Sequence, residues 1–209
     1  MAAPLLARPA AAQEEMDADR AVAGGGALPA GFEGRTDRGQ GFENVRFEIK
    51  DGLYHISVGP AVVLYRPEHT ASGTYRLTST VTQTSSKGHA HGAGLIFGGA
   101  DLQGPDQVYT YFLVRGDGTF IVKTRTGATT ALVSERWQPH PALHTEDANG
   151  HATNELEVEV GEEDVIFRAN GQEVFRAPRS ELYTDGVYGI RLNHNLDMII
   201  SPPELHTGM

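Results

Sequence analysis

The chain has 209 residues, 39% of them hydrophobic and 25 of them glycine, a composition that suits one domain of short strands and tight turns. Its 27 acidic and 17 basic side chains give a formal net charge of −10 at pH 7. This charge disfavours nucleic acid and anionic lipid as partners, and no apolar run approaches the roughly 20 residues that span a bilayer. The absence of cysteine excludes disulfides, thiolate nucleophiles and zinc-thiolate sites.

The first 40 residues predict an arm ahead of the folded domain. Three alanines at positions 10–12 have the small-residue pattern of a signal-peptidase site, which predicts a secreted or periplasmic protein of the bacterial envelope. The alternative is an Ala-rich terminus without structure. Residues 13–40 are acidic, contain three consecutive glycines and lack periodicity, as a linker or loosely docked arm does. We therefore divide the chain into an export-signal remnant with an arm, 1–40, and a β-sandwich domain, 41–209.

From residue 41 onward, apolar and polar residues alternate with a period of two, which is the pattern of half-buried strands. Two dipeptides, Asp51-Gly52 and Asn170-Gly171, predict hairpins because their residues tolerate the positive φ of a type I′ turn. The predicted strands are, in chain order, 45–49, 54–58, 61–66, 74–84, 92–99, 108–115, 120–122, 128–134, 156–160, 165–167, 174–175, 188–192 and 196–200. This number of short strands with regular turns predicts an all-β protein, an antiparallel β-sandwich or jelly roll.

Several segments resemble the concanavalin A-like lectin/glucanase superfamily. They are NELEV at 154–158, residues 166–171 and GVYGI at 186–190, which are similar to its closing strands, and GLIFGG at 94–99, residues 109–114 and GDG at 116–118, which are similar to its middle. The nearest branch is the 3-keto-disaccharide hydrolase-like domain, related to laminin G-like sandwiches. Its opening Phe-Asn-Gly-Lys-Asp-Leu type segment, followed by tryptophan, has no match here. The resemblance implies a concanavalin A-like jelly roll with a sugar-associated concave face, and it transfers no catalytic residue.

One strand presents two tyrosines and an arginine on the same face, opposite Phe112. Tyrosine rings offer apolar area and a polar tip that suit a pyranose, and arginine hydrogen-bonds hydroxyls or a carboxylate. Ordinary cross-strand pairing is the alternative. Glycines on the preceding strand, at positions 92, 94, 98 and 99, are expected to leave room for a ligand. The candidate ligand-binding residues are Tyr109, Tyr111 and Arg115, the single tryptophan Trp137, and Asn193, His194 and Asn195 between the last two strands, where a simple turn is the alternative.

His89 and His91 are the sharpest chemical signal for a metal. Residues two apart lie on one face of an extended segment, so both imidazoles can ligate one divalent ion, with Asp101, His194 or a loop histidine as a third ligand. The alternative is a polar strand entry with two exposed histidines. A polar loop over residues 138–153 carries three more histidines, His140, His144 and His151.

Three glutamates, Glu157, Glu159 and Glu162, imitate the paired carboxylates of retaining glucanases, and we expect them instead to form a solvated outer face. Three functions follow from these patterns. The first is a glycan-binding or interaction module of the cell envelope. The second is a metal-assisted hydrolase or lyase acting on oxidised glycosides, and the third is a structural protein that self-associates through its arm and sheet edges. The sequence leaves open whether the protein is an enzyme.

Overall fold

The computed structural model describes residues 18–39, 41–85 and 90–208, so the alanines at 10–12 and His89 lie outside the described residues. The described chain forms sixteen β-strands and one short 3-10 helix, Arg179–Glu181. The strands are β1 (Glu33–Thr36), β2 (Val45–Lys50), β3 (Leu53–Val58), β4 (Val62–Ala71), β5 (Tyr75–Gln83), β6 (Gly92–Ala100), β7 (Val108–Arg115), β8 (Thr119–Thr126), β9 (Thr129–Leu132), β10 (Gln138–Pro139), β11 (Ala152–Val160), β12 (Asp164–Ala169), β13 (Gln172–Pro178), β14 (Gly186–Leu192), β15 (Leu196–Ile200) and β16 (Glu204–Thr207).

The strands form two antiparallel sheets. Sheet A has the order β1-β4-β14-β6-β7-β8-β10, with β9 also paired to β8. Sheet B has the order β13-β12-β11-β5-β15-β3-β2, with β16 also paired to β5. Every pairing is antiparallel. The predicted all-β sandwich is confirmed. None of the described residues belongs to a helix long and apolar enough to cross a membrane.

Both predicted hairpin turns are present. Asp51 and Gly52 have φ angles of 52° and 77° and join β2 to β3. Asn170 and Gly171 have φ angles of 50° and 77° and join β12 to β13. Positive φ at both central residues gives the turn the right-handed twist of the flanking strands. Turn chemistry therefore sets the register of each hairpin.

The main core lies between the sheets. Leu95 and Phe97 of β6 and Phe112 of β7 point into this core. The residues that alternate with them along the two strands point to the other face of sheet A. Phe167 of sheet B meets them with ring centroids 6.1 Å from Phe97 and 5.4 Å from Phe112. Phe175 extends this aromatic cluster at 5.9 Å from Phe167. Burying large aromatic side chains stabilises the pairing of the two sheets by about 2–3 kcal/mol each.

A second apolar cluster covers the outer face of sheet A, the face that points away from sheet B. Its members from the central strands are Val63, Tyr65, Ile96, Tyr109, Tyr111, Leu113 and Ile121. They are the alternate residues of strands whose other residues enter the main core. Sheet A is thus buried on both faces near its centre. The outer face of sheet B is charged instead, since Arg168 hydrogen-bonds Glu157 and Glu159.

The segment predicted as a loose arm contributes to the sandwich. Strand β1 pairs with β4, from Glu33 opposite Tyr65 to Thr36 opposite Val62. Farther upstream, the Arg20 guanidinium donates to Asp197 Oδ1 at 2.6 Å and to Asp197 Oδ2 at 2.8 Å. Residues from Ala18 onward are therefore docked against sheet B, and the chain entering β1 reaches the edge of sheet A.

Candidate functional site

Two depressions meet at Arg191 of sheet A, and together we call them the groove. The first, of about 290 Å³, is lined by Asp19, Asp37, Arg38, Pro60, Ala61, Arg191, Asn193 and His194. The second, of about 300 Å³, is lined by Asp37, Tyr111, Leu113, Ile121, Lys123, Arg125, Ala128, Thr130, Trp137, Arg191 and Asn193. They share Asp37, Arg191 and Asn193. Each lies at the lower end of the size range of small-molecule sites, about 300–1,000 Å³.

An ion pair between Asp37 and Arg191 forms the centre of the groove. Asp37 follows β1, where its N–H donates to the Ala61 carbonyl at 3.0 Å, and Arg191 is an outward residue of β14. The guanidinium donates to Asp37 Oδ1 at 2.7 Å and Oδ2 at 2.6 Å. Burial alone raises the pKa of Asp37, but the hydrogen bonds and positive charge of Arg191 outweigh it and hold that pKa below its ordinary value. Asp37 therefore stays ionised and accepts hydrogen bonds.

Acid is expected to destabilise the fold through Asp37 and Asp197. Burial raises the pKa of Asp197, but hydrogen bonds from Arg20, Ser57 and Ser85 outweigh that effect. The pKa of Asp197 therefore lies below its ordinary value. A carboxyl whose folded pKa is depressed contributes stability that is present above its unfolded value and is lost as the pH falls through the folded value. Urea denaturation should show stability falling from about pH 5 downward, most steeply below about pH 4. Asp197→Asn should flatten that loss, and a slope equal to that of the unmodified protein would contradict this account.

The predicted tyrosines do lie on the outer face, but they are buried. Tyr109 is 1% exposed, and its hydroxyl accepts a hydrogen bond from Arg191 at 3.1 Å. Tyr111 is 5% exposed and lines the second depression, and burial raises the pKa of its hydroxyl to about 12. The expected stacking of Tyr109 on a ligand is therefore wrong, because neighbouring side chains already cover its ring. Both tyrosines form the floor that supports Arg191.

Trp137 supplies the accessible aromatic surface. Its side chain is partly exposed, lines the second depression and packs on Arg115, whose guanidinium carbon lies 3.6 Å from the ring centroid. The expectation that Gly92 leaves room for a ligand is wrong, because a Cβ there would clash with the Trp137 ring. Gly98 likewise has a φ of 62° and faces the backbone of Tyr183. The space left by these glycines of β6 is therefore filled by other parts of the protein. Gly92 in particular allows the Trp137 ring to lie close to the sheet.

Cations border the second depression along β8. Lys123 and Arg125 lie two residues apart on the outward face, opposite Tyr111 and Tyr109 of β7. Arg125 is 8% exposed, its Nε donates to the Gly127 carbonyl at 2.8 Å, and its Nη1 lies 3.9 Å from Asp37 Oδ1. The second depression therefore combines buried charged donors, one ionised acceptor and an indole. These groups can bind hydroxyl or carboxylate oxygens and cover an apolar ring face.

Of the residues between β14 and β15, two line the groove and one binds the docked N-terminal segment. Asn193 lines both depressions, and His194 lines the first. Asn195 has a φ of 58°, accepts a hydrogen bond from the Arg20 N–H at 2.8 Å and donates to the Ala18 carbonyl at 3.0 Å. The Asn195 amide therefore holds the N-terminal segment, and Asn195 is not among the residues that line the groove.

The structure brings together only part of the predicted metal set. His91 and His194 meet edge to face with ring centroids 4.2 Å apart, and His194 Nδ1 lies 3.4 Å from Asp19 Oδ1. Asp101 follows the far end of β6, a nine-residue strand, so it lies roughly 30 Å from His91 and cannot share a metal with it. No group of three or more His, Asp or Glu side chains within residues 18–39, 41–85 and 90–208 is arranged to hold a metal. His89, the first predicted ligand, lies outside those ranges.

The loop histidines and the outer glutamates make local contacts. His140 Nδ1 accepts from the Ala142 N–H at 3.2 Å, and His144 Nδ1 lies 2.9 Å from the Thr153 carbonyl. The Arg168 guanidinium lies 2.6 Å from Glu157 and 2.5 Å from Glu159. These glutamates belong to sheet B, on the side of the sandwich away from the groove. They do not form a free acid pair of the glucanase kind.

Sequence reasoning missed six charged groove residues, namely Asp19, Asp37, Arg38, Lys123, Arg125 and Arg191. The one local signal was a charge inside an apolar strand, since Arg191 lies between Ile190 and Leu192. A charged residue there must find a partner or a function. The partner, Asp37, is 154 residues away in sequence, so only the fold reveals it.

No protein-family model and no curated protein matches the sequence. Solved structures resemble the fold. A Bacillus subtilis protein of unknown function with a galectin-like fold has a TM-score of 0.61 at 14% identity, over 84% of this chain and 88% of that one. The Bacillus subtilis carbohydrate-binding module CBM66 has a TM-score of 0.54 at 12% identity, over 85% and 96%. The potassium-bound carbohydrate recognition domain of Emp46p has a TM-score of 0.58 at 9% identity, over 86% and 90%. At such identities the likeness shows the concanavalin A-like fold class alone, and it does not reach the 3-keto-disaccharide hydrolase-like branch.

Proposed function

We propose that this protein is a glycan-binding module and that the groove is its binding site. The observation that carries the proposal is the ion pair between half-buried Asp37 and buried Arg191, which the two depressions share, with Trp137 lining the second. Sugar recognition requires fixed donors and acceptors for hydroxyl groups and an apolar surface for the ring. Asp37 supplies the acceptor, Arg191 and Asn193 supply donors, and Trp137 supplies the surface.

Two of the similar structures support this assignment by name, since one is a carbohydrate-binding module and the other a carbohydrate recognition domain. The alanine pattern at 10–12, which lies outside the described residues, supports a location in the bacterial envelope or beyond it, where glycans are abundant.

Binding is favoured over hydrolysis by the state of Asp37. A glycosidase needs one carboxylic acid with a raised pKa to protonate the leaving group. The pKa of Asp37 is lowered instead, because Arg191 outweighs the effect of burial, and both carboxylate oxygens accept hydrogen bonds from that guanidinium. Asp37 is therefore suited to hold a hydroxyl group and is a poor general acid.

Replacing Trp137 with alanine is expected to weaken glycan binding at least about tenfold, because a tryptophan that packs on a ligand commonly contributes more than about 1.4 kcal/mol. The measurement is a glycan array followed by calorimetry with a retained oligosaccharide. Ile49→Ala is the matched control, since Ile49 is a 44% exposed apolar side chain on sheet B. Equal affinity of Trp137→Ala and the unmodified protein, with an unchanged melting temperature, would remove the groove as the site.

A further inference from the structure

The docked N-terminal segment contributes a side chain to the groove. Asp19 lines the first depression together with Arg191 and Asn193, which also line the second. The Asp19 side chain is 24% exposed, so it is partly withdrawn from water and still open to a ligand. The groove therefore depends on a residue that lies upstream of β1, the first strand of the described chain.

The Asn195 amide holds the backbone on both sides of Asp19. Its Oδ1 accepts a hydrogen bond from the Arg20 N–H at 2.8 Å, and its Nδ2 donates to the Ala18 carbonyl at 3.0 Å. Asn195 is itself fixed, with a φ of 58° and with its N–H donating to the Gly59 carbonyl at 2.9 Å. One side chain thus fixes the peptide groups that flank Asp19, and this restricts the positions that the Asp19 carboxylate takes.

A second set of contacts anchors the segment directly after Asp19. The Arg20 guanidinium donates to both carboxylate oxygens of Asp197 and to two backbone carbonyls. A Cβ at position 59 would clash with the Arg20 carbonyl oxygen, so Gly59 is the residue that lets the segment approach this closely. Asp19 is therefore held at the groove by bonds on either side of it.

The Asp19 carboxylate has room to accept hydrogen bonds. Among the described residues its one ion-pair partner is His194, whose Nδ1 lies 3.4 Å from Oδ1 and which is charged only when protonated. A carboxylate accepts at about four lone-pair sites, and its hydrogen bonds from hydroxyl groups are roughly twice as strong as those between neutral groups. Both oxygens of Asp37, in contrast, already accept from Arg191. Asp19 is therefore the better acceptor for a sugar hydroxyl in the first depression.

We propose that Asp19 is a ligand-binding residue of the glycan site, accepting a hydrogen bond from a hydroxyl group of the glycan, and that Asn195 and Arg20 are its positioning residues. This inference rests on the proposed glycan-binding function and deepens it. One sugar residue binds beside Trp137 in the second depression, and the adjoining sugar residue binds beside Asp19 in the first. Glycan binding and docking of the segment are then coupled, and each strengthens the other by the same factor.

Calorimetry on the full chain tests the role of Asp19. The probes are five neutral tetrasaccharides: cellotetraose, laminaritetraose, xylotetraose, β-1,4-mannotetraose and lacto-N-neotetraose. Asp19→Ala is expected to bind a retained tetrasaccharide about tenfold more weakly, the effect of one hydrogen bond to a charged group. Asn195→Gly removes the amide and suits the positive φ, and it should cause a similar loss. The double variant should lose no more than Asp19→Ala alone, because both changes remove the same contact. The control is Glu162→Ala, an exposed acid between β11 and β12, which should bind normally.

Trypsin cleavage after Arg20 measures the same coupling from the side of the segment. A saturating concentration of the retained tetrasaccharide should slow this cleavage about tenfold in the unmodified protein, because the ligand stabilises docking by the factor that docking adds to affinity. In Asp19→Ala the tetrasaccharide should leave the rate nearly unchanged. Rates with and without the tetrasaccharide are compared within each protein, so the altered sequence beside the cleavage site cancels.

The outcomes separate this inference from the function on which it rests. Normal affinity of Asp19→Ala, with Trp137→Ala weakened, would overturn the role of Asp19 and leave the glycan site standing. Losses that multiply in the double variant would show that Asn195 acts on the fold and not through Asp19. Equal slowing of trypsin in both proteins would overturn the coupling. If none of these tetrasaccharides and no glycan on the array binds, both the inference and the proposed function are wrong.

Discussion

Replacing Asp37 with alanine is expected to lower the free energy of unfolding by about 3–5 kcal/mol, because a buried charge is left without its partner. The Arg191 side chain is 6% exposed, and Asp37 accepts two hydrogen bonds from its guanidinium. For a chain of this length the loss corresponds to a fall in melting temperature of roughly 6–20 °C. Urea and thermal denaturation measure it, with Glu162→Ala, an exposed acid in a turn, as the control for charge alone.

A second variant separates the buried charge from the lost hydrogen bonds. Asp37→Ala combined with Arg191→Met removes both charges and keeps most of the side-chain volume over Tyr109 and Tyr111. It should be more stable than Asp37→Ala alone, because no uncompensated charge remains. Should Asp37→Ala cost less than about 1 kcal/mol, the pair would behave as a surface ion pair and the argument from burial would fail.

The fold was predictable because its signals are local. Asp51-Gly52 and Asn170-Gly171 adopt the positive φ angles that their residue types indicate, and strands such as β11 alternate as expected. Strand β1 was missed because Glu33–Thr36 has no apolar alternation and is held by its pairing with β4. The sequence also could not show which residues of β6 face sheet B and which face outward. Both faces of sheet A are apolar, so the pattern allows either assignment.

The site was less predictable because it is assembled from distant segments. Tyr111, Trp137 and Asn193 were identified by residue type, and they line the groove. The Asp37–Arg191 pair at its centre joins the end of β1 to β14, and no spacing rule connects them. The alternation of a strand predicts which face a tyrosine lies on, but it does not predict whether the side chain is exposed. For this reason Tyr109 was expected to reach a ligand although it is buried.

Arg20→Ala is expected to release the N-terminal segment and to lower the free energy of unfolding by about 2–3 kcal/mol, since hydrogen bonds to charged groups contribute about 1.5–3 kcal/mol each and are not additive. The guanidinium donates to both Asp197 oxygens, to the Val58 carbonyl at 3.1 Å and to the Leu196 carbonyl at 2.8 Å. Without it, Asp197 keeps its hydrogen bonds from Ser57 and Ser85, the latter at 2.9 Å, but loses the positive charge of Arg20.

Release of this segment also changes the groove. Asp19 lines the first depression and lies 3.4 Å from His194, so its departure removes one wall and one negative charge. Limited proteolysis should cut Arg20→Ala between Ala18 and Val22 faster than the unmodified protein, because docked backbone resists cleavage. Arg176→Ala is the control, since Arg176 pairs with Glu173 and Asp164 on the exposed side of sheet B. Equal cleavage of all three proteins would show that bonds other than those of Arg20 hold the segment, with the amide of Asn195 as the first to test.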